Sequence, residues 1–425
     1  MIVTVTWVFL LMLVIGVPIA FSMGSAALLG IFTYSDVSLS LVVQRMFTGV
    51  NSFTLLAIPL FMLAGQLMET GGISRRLVNL AYSIVGYIRG GLGMSGVGAS
   101  VIIAGISGSA AADTAAVGSI MIPAMKTKRY PAGLAATLQA CAGSLGTIIP
   151  PSLTMILYAV ITEVSISRLF LAGIIPGLLM GLGLMTVTYL YGKKYNLKEE
   201  GRPRFNVVIK SLKEAFWALM MPLLILGGIV TGIFTATEAG VIAVVYALVV
   251  GLLIYKEFTL RDIPKIFADA AANTSMVLLI VAGASILGWV IAYTQIPLLV
   301  VNTLASLTES PYLILLLLIA FILFIGMFIE TLAATIIIAP LLGPIVSQFG
   351  FDPIHFGFVI VATLIFAGVT PPVGPILNIT MGIGRAKMKE LLPFLPPYIG
   401  CVISVLILVV FIPEIVTFLP NLFLE

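Results

Sequence analysis

Charged side chains are scarce in this chain. Only 9% of its 425 residues are Asp, Glu, Lys or Arg, whereas 60% are hydrophobic. A soluble domain carries roughly 25% charged residues, so a soluble fold of this length is excluded. Histidine is nearly absent, His355 being the single copy, and there are two cysteines, Cys141 and Cys401, both inside apolar segments. That rules out zinc, haem and iron–sulfur ligand sets and any disulfide framework. The chain also lacks a Walker sequence, a Gly-x-Ser-x-Gly elbow and a His-Glu-x-x-His pair, so ATP-driven transport by this chain alone is excluded. With no nucleophile–base or metal set in sight, it does not read as an enzyme. The net charge of +4 comes from loop lysines and arginines and implies orientation in a membrane, not nucleic-acid binding. The first residues, Met1 to Trp7, have no basic n-region. They read as a retained helix, not a cleaved signal.

What is present is a succession of apolar runs of about 20 residues, each enough for one crossing of a bilayer. Apolar patterning places membrane segments at 2–32, 47–69, 132–163, 168–192, 216–234, 237–255, 271–293, 354–382 and 391–420. Two further stretches, 91–125 and 311–347, are too long for one span and have polar, Gly-rich centres. Each reads as a re-entrant helical hairpin. Segment 73–90 sets Ile73, Leu77, Leu80, Ile84 and Ile88 on one helical face, away from Arg75, Arg76 and Asn79. It reads as an interfacial arm, with 296–307 as its counterpart. The fold class expected is an all-α polytopic membrane protein with about 11 membrane segments plus two hairpins.

The prolines reveal an internal repeat. A shift of 221 residues brings Pro123 onto Pro344, Pro150-Pro151 onto Pro371-Pro372, and Pro176 onto Pro397. Five prolines in 109–176 against nine in 330–397 would match less than once by chance; four match. Charge sets the relative orientation. Lys126, Lys128 and Arg129 follow the first hairpin, while the matching 347–350 carries no charge. Arg385, Lys387 and Lys389 map back onto 164–168, which holds one arginine. The positive-inside rule puts both clusters in the cytoplasm, so the repeats are inverted. The expected division is 1–192 for the first repeat, 193–236 for a cytoplasmic linker and connecting helix, and 237–425 for the second. Counting crossings then puts the N-terminus in the cytoplasm and the C-terminus outside.

The chemistry is expected where each hairpin tip meets the proline-broken helix that follows. Broken helices are tolerated in a bilayer only where they line a cavity or are buried in protein. Paired breaks in matching halves mark the binding site of a secondary transporter. Two prolines remove backbone donors and free carbonyls in the preceding turn. Carbonyls suit a cation, and a half-helix N-terminus suits a carboxylate. One cation site is expected among Ser107, Gly108, Ser109, Gly143, Gly146 and Thr147. A second is expected among Gly326, Thr331, Ala334, Thr335, Gly368 and Thr370. Sodium is favoured over protons because most of these groups cannot titrate, and no other metal is indicated. Asp113, Glu238 and Glu330 are intramembrane carboxylates and hence candidates. Glu238 reads as a helix cap, and His355 as structural. No Arg or Lys lies deep in a span, so an organic anion would rest on half-helix N-termini, small polar groups and bound cations. The positions proposed for it are Asp113, Pro150, Pro151, Ser152, Pro371, Pro372, Gly374 and Asn378.

Ser107-Gly-Ser-Ala-Ala-Ala-Asp113, Gly143-Ser-Leu-Gly-Thr-Ile-Ile-Pro-Pro-Ser152, Ile58-Pro-Leu-Phe-Met-Leu-Ala-Gly65 and Thr370-Pro-Pro-Val-Gly374 together carry a resemblance. The chain resembles the large membrane subunit of tripartite ATP-independent periplasmic (TRAP) transporters over essentially its whole length. The resemblance implies an elevator-type transporter in a bacterial inner membrane, with no cofactor but coupling sodium ions. It implies uptake of an organic anion, commonly a sialic acid or a C4-dicarboxylate. It also implies two partners: a small four-helix membrane subunit, here a separate chain, and a periplasmic substrate-binding protein. The alternative is a stand-alone sodium/dicarboxylate symporter of the divalent-anion type, with the same inverted hairpins.

Overall fold

The computed structural model describes residues 1–197 and 205–424, and every regular element among them is helical. The expected linker 193–213 lies partly outside these residues. Among the described residues, five helices are long and apolar enough to cross a membrane alone: Ile166–Lys194, Phe205–Val230, Ala236–Ile254, Ile263–Tyr293 and Thr331–Phe349. Two bent pairs raise this to seven. Ser40–Val50 turns by 60° into Thr54–Thr70, and Leu395–Phe411 turns by 63° into Glu414–Phe423. Other apolar helices are 10–17 residues long, which is short for a 30 Å core at 1.5 Å per residue. Several of these meet at breaks.

The expected single span 2–32 is corrected. The structure has Ile2–Val14 and Ile19–Tyr34 folded back on each other. Gly16 takes the turn at φ +85° and Pro18 opens the second helix. Gly30 packs under Val5 and Met1, and Thr4 Oγ1 donates to Tyr34 Oη at 2.9 Å. The start of the first helix therefore lies beside the end of the second.

The proline repeat has a counterpart in the order of helices. Helix starts at Ala110, Ala132, Leu153 and Ile166 recur at Thr331, Pro353, Pro375 and Met388, offset by 221 or 222 residues. The first hairpin is Gly91–Ser107 with Ala110–Thr127, and the second is Pro311–Gly326 with Thr331–Phe349. Each is followed by a broken helix: Ala132–Ser144 with Leu153–Thr162, then Pro353–Ala367 with Pro375–Gly384. Both breaks hold a cis Pro–Pro bond, Pro150–Pro151 and Pro371–Pro372. The two units interlock. Pro375–Gly384 packs on Ala110–Thr127 and Ala132–Ser144, while Thr331–Phe349 packs on Leu153–Thr162.

The arm Ile73–Val85 buries Ile73, Leu77 and Leu80 against Gly91–Ser107 and Phe205–Val230. Arg76 pairs with Glu257 at 2.7 Å and lies 3.9 Å from the centre of the Tyr255 ring. The long helix Ile263–Tyr293 forms the other wall. It packs on Ile19–Tyr34, Ser40–Val50, Ala57–Thr70 and Thr331–Phe349. Glu238 closes a capping box with Thr235, and His355 Nε2 meets the Val409 carbonyl at 2.9 Å. Cys141 and Cys401 are free thiols.

Candidate functional site

The first hairpin turns at Gly108, which adopts φ +66° and sits so close to the Pro151 carbonyl that a Cβ would crowd it at 2.7 Å. Glycine answers both demands. Ser109 then caps the next helix, accepting from the Ala112 N–H at 3.4 Å. Across the contact, the Leu153 N–H donates to the Gly108 carbonyl at 3.1 Å. The second unit makes a related tie: the Gly374 N–H donates to the Met327 carbonyl at 3.4 Å. Each hairpin tip is thus hydrogen-bonded to its own proline break.

The first contact encloses a carboxylate. Asp113 is 1% exposed. Its Oδ1 accepts from Ser107 Oγ. Its Oδ2 has no hydrogen-bond partner among the described residues and fills the space a side chain at Gly146 would need. One position along, the buried Thr114 hydroxyl is also unpartnered and lies where a Cβ at Gly143 would be. Buried polar atoms are normally satisfied. Two orphan oxygens, one against Gly143 at the end of its helix and one against Gly146 in the turn that follows, with the Ser107 hydroxyl on the same carboxylate, form a donor set suited to a hard cation.

The second contact is built from neutral groups. Thr331 opens its helix, and a Cβ at Gly368 would lie 3.4 Å from Thr331 Oγ1. Thr335 Oγ1 donates to the Thr331 carbonyl and Thr370 Oγ1 to the Phe366 carbonyl, both at 2.8 Å. Gly326 ends the first arm and packs on Ala367, and Ala334 is buried. Glu330 caps the second arm by accepting from the Ala333 N–H at 3.1 Å. Across the first contact Gly108 meets Pro151 and Leu153, and across the second Gly326 meets Ala367 and Thr331 meets Gly368; Thr335 and Thr370 spend their hydroxyls on their own helices.

Among the described residues, several cavities lie at or near these contacts. One of about 570 Å³ runs between the first hairpin, Ala57–Thr70 and Ile263–Tyr293, and reaches Ser107, Ser109, Asp113 and Glu330. A pocket of about 70 Å³ lies where both tips and both breaks converge, lined by Ser109, Thr147, Thr154, Glu330, Thr331 and Pro375 among others. A third cavity of about 460 Å³ opens between Ser40–Val50, Ile263–Tyr293 and the ends of the interlocked units. A fourth, of about 110 Å³, lies behind the second break beside Cys141 and Thr370. Of the residues assigned to the anion, Asp113 lies at the first cation contact. Pro150, Pro151, Pro371, Pro372, Gly374 and Asn378 line none of these four cavities. Ser152 is fully buried as a helix cap, its hydroxyl donating to the Thr147 carbonyl at 2.5 Å and accepting from the Met155 N–H at 3.2 Å. Sequence reasoning missed Thr154, whose buried hydroxyl is unpartnered at the convergent pocket. It also missed Gln66, Glu69 and Asn273 on the large cavity. Thr154 follows the first break by two residues, and that adjacency is a usable signal.

Helices that break in pairs around enclosed polar contacts, within an otherwise apolar bundle, define a multi-pass membrane protein of the transporter class. A family model, "Tripartite ATP-independent periplasmic transporter, DctM component", matches residues 6–415. An isethionate TRAP transporter permease protein of Oleidesulfovibrio alaskensis is 40% identical, aligned over 96% of this chain and 65% of its own length. The sialic acid TRAP transporter large permease of Vibrio cholerae is 36% identical, aligned over 96% of both chains. The YdaH transporter of Alcanivorax borkumensis shares the fold at a TM-score of 0.64, with 14% identity and 88% of each chain covered. The chain belongs to the DctM family of TRAP transporter large permeases.

Proposed function

We propose that this chain is the permease of a sodium-coupled uptake system for an organic anion, working by an elevator motion. The observation that carries the sodium reading is the unpartnered, buried Asp113 Oδ2 set against Gly146, with the orphan Thr114 hydroxyl against Gly143. An uncompensated carboxylate at that depth is costly, and a cation bound there would offset the cost. Asp113 thus serves the first cation site and not the anion directly. The neutral threonines and carbonyls of the second contact would hold a second ion.

The anion is best placed in the pocket where both tips and both breaks converge. There Thr154, Ser109 and Thr331 offer hydroxyls, and the adjacent cations would supply positive charge. The named cargoes of relatives, isethionate and sialic acid, are both organic acids, as is a C4-dicarboxylate. Two interlocked hairpin–break units fit a mobile body, and Ile263–Tyr293 with its neighbours fits a fixed wall. Inverted repeats follow from the charge asymmetry argued above. On that orientation the folded-back first pair puts the N-terminus on the outer side, with the C-terminus. A small membrane subunit and a periplasmic binding protein complete the system, the former fused to the permease in some relatives.

The test is uptake of labelled sialic acid or succinate into proteoliposomes holding both membrane subunits, with and without binding protein and a sodium gradient. Concentrative uptake requiring both supports this reading. Uptake without binding protein favours a stand-alone symporter. Sodium-independent uptake contradicts the coupling.

A further inference from the structure

The four cavities differ in charge. The 570 Å³ cavity is lined by Glu69, Asp113 and Glu330 and by no Lys, Arg or His. The 70 Å³ and 110 Å³ pockets hold no basic side chain either. The 460 Å³ cavity is the exception, because Arg45 lines it. Arg45 makes no ion pair among the described residues. Its helix, Ser40–Val50, is pressed onto Ile263–Tyr293. The Ser285 hydroxyl occupies the space beside Gly49, which seats Arg45 at the rim with Thr48 one helical turn further along the same wall. The opposite wall is the end of the first broken helix, with Leu157, Ile161 and Glu163, and the second hairpin at Ile336 and Pro340.

The two large cavities also take successive stretches of the same helix. Ile263–Tyr293 lends Ala270 to Ile280 to the acidic cavity and Val281 to Gly288 to the other. Lys256, Arg261 and Lys265 flank its start, which by the positive-inside rule is cytoplasmic. The Arg45 cavity therefore faces out and the acidic cavity faces in.

We propose that Arg45 is the anion-gathering residue of the outer vestibule. It would raise the local concentration of a carboxylate or sulfonate substrate before that substrate reaches the cation-bound pocket. This rests on the uptake reading above. Arg45 and Glu163 are the two charged side chains on this lining, so the attraction is local to the Arg45 side; a cation there speeds encounter with an anion and sets encounter more than final affinity. Glu163 on the facing wall opposes that attraction.

The experiment needs no known substrate. In a Cys141→Ala/Cys401→Ala background, Thr48→Cys reports on the vestibule. Its rates with a sulfonate-bearing and a trimethylammonium-bearing methanethiosulfonate are measured in proteoliposomes at low and high salt. The anionic-to-cationic rate ratio should fall about three- to tenfold in Arg45→Gln, hold in Arg45→Lys, and rise in Glu163→Gln. All three differences should shrink in high salt. A ratio unchanged by Arg45→Gln and by Glu163→Gln overturns the proposal. In uptake assays Arg45→Gln should raise KM for the transported anion with kcat and sodium dependence unchanged; a loss confined to kcat also overturns it. If the unmodified protein carries no anion while the rate ratios behave as stated, the uptake reading fails and the vestibule assignment stands.

Discussion

The carboxylate of Asp113 occupies the space that a side chain at Gly146 would fill. This one contact joins the first hairpin to the unwound segment before Pro150. It also explains why residue 146 is glycine: the backbone must approach a buried acid closely, and any Cβ would push the two apart.

Gly146→Ala is therefore expected to separate hairpin and break. Overpacking of this kind costs about 1–3 kcal/mol. The melting temperature should fall in every salt, and the sodium-specific part of any stabilisation should vanish. Gly400→Ala, at a glycine with open space around it, is the control and should change neither quantity. A Gly146→Ala protein that keeps its sodium response would remove this contact from the ion site.

Thr154 separates a structural role from a ligand role. Its hydroxyl is buried without a partner, so replacing it with an isosteric apolar group should be neutral or slightly stabilising. Thr154→Val is expected to melt at or above the parent temperature and yet to raise KM for the anion about tenfold, as losing one ligand hydrogen bond would. An unchanged KM would take Thr154 out of the anion pocket.

Ser152 should behave in the opposite way. Its hydroxyl is consumed by the cap and by the Thr147 carbonyl. Ser152→Ala should cost about 0.5–2 kcal/mol of stability, read by chemical denaturation or thermal melting. KM for the anion should stay within twofold. A large KM change with intact stability would restore Ser152 as a direct contact.

Much of this was legible in the sequence, for identifiable reasons. Tandem prolines leave a mark that apolar drift does not erase, so Pro150–Pro151 and Pro371–Pro372 exposed the repeat and the two breaks. Ser107 to Asp113 stood out because small and polar residues are conspicuous in an apolar run. The first span was misjudged because Gly16 and Pro18 interrupt an apolar stretch without adding any polar residue, and hydropathy does not register a turn of that kind. Phe205–Val230 and Ile263–Tyr293 run longer than their apolar cores, since polar residues such as Lys210, Lys213 and Lys265 continue the helix beyond the expected spans. Thr154 was missed for a different reason. A single polar residue on a buried helix shows its importance only when its neighbours in space are known. Pro150, Pro151, Pro371 and Pro372 line none of the four cavities described, whereas Thr147 and Thr154 beside the first break and Ser109 at the tip line the convergent pocket.

The central claim is that the hairpin–break contact at Asp113 binds sodium. The most direct measurement is the melting temperature of the purified protein in sodium, potassium and choline chloride at equal ionic strength, for the parent and for Asp113→Asn. A ligand that binds only the folded state stabilises by about 2.7 kcal/mol at a hundred times its Kd. The expected result is a saturable rise specific to sodium in the parent, and its loss in Asp113→Asn. Equal melting in the three salts, or a sodium response that survives Asp113→Asn, would contradict the claim.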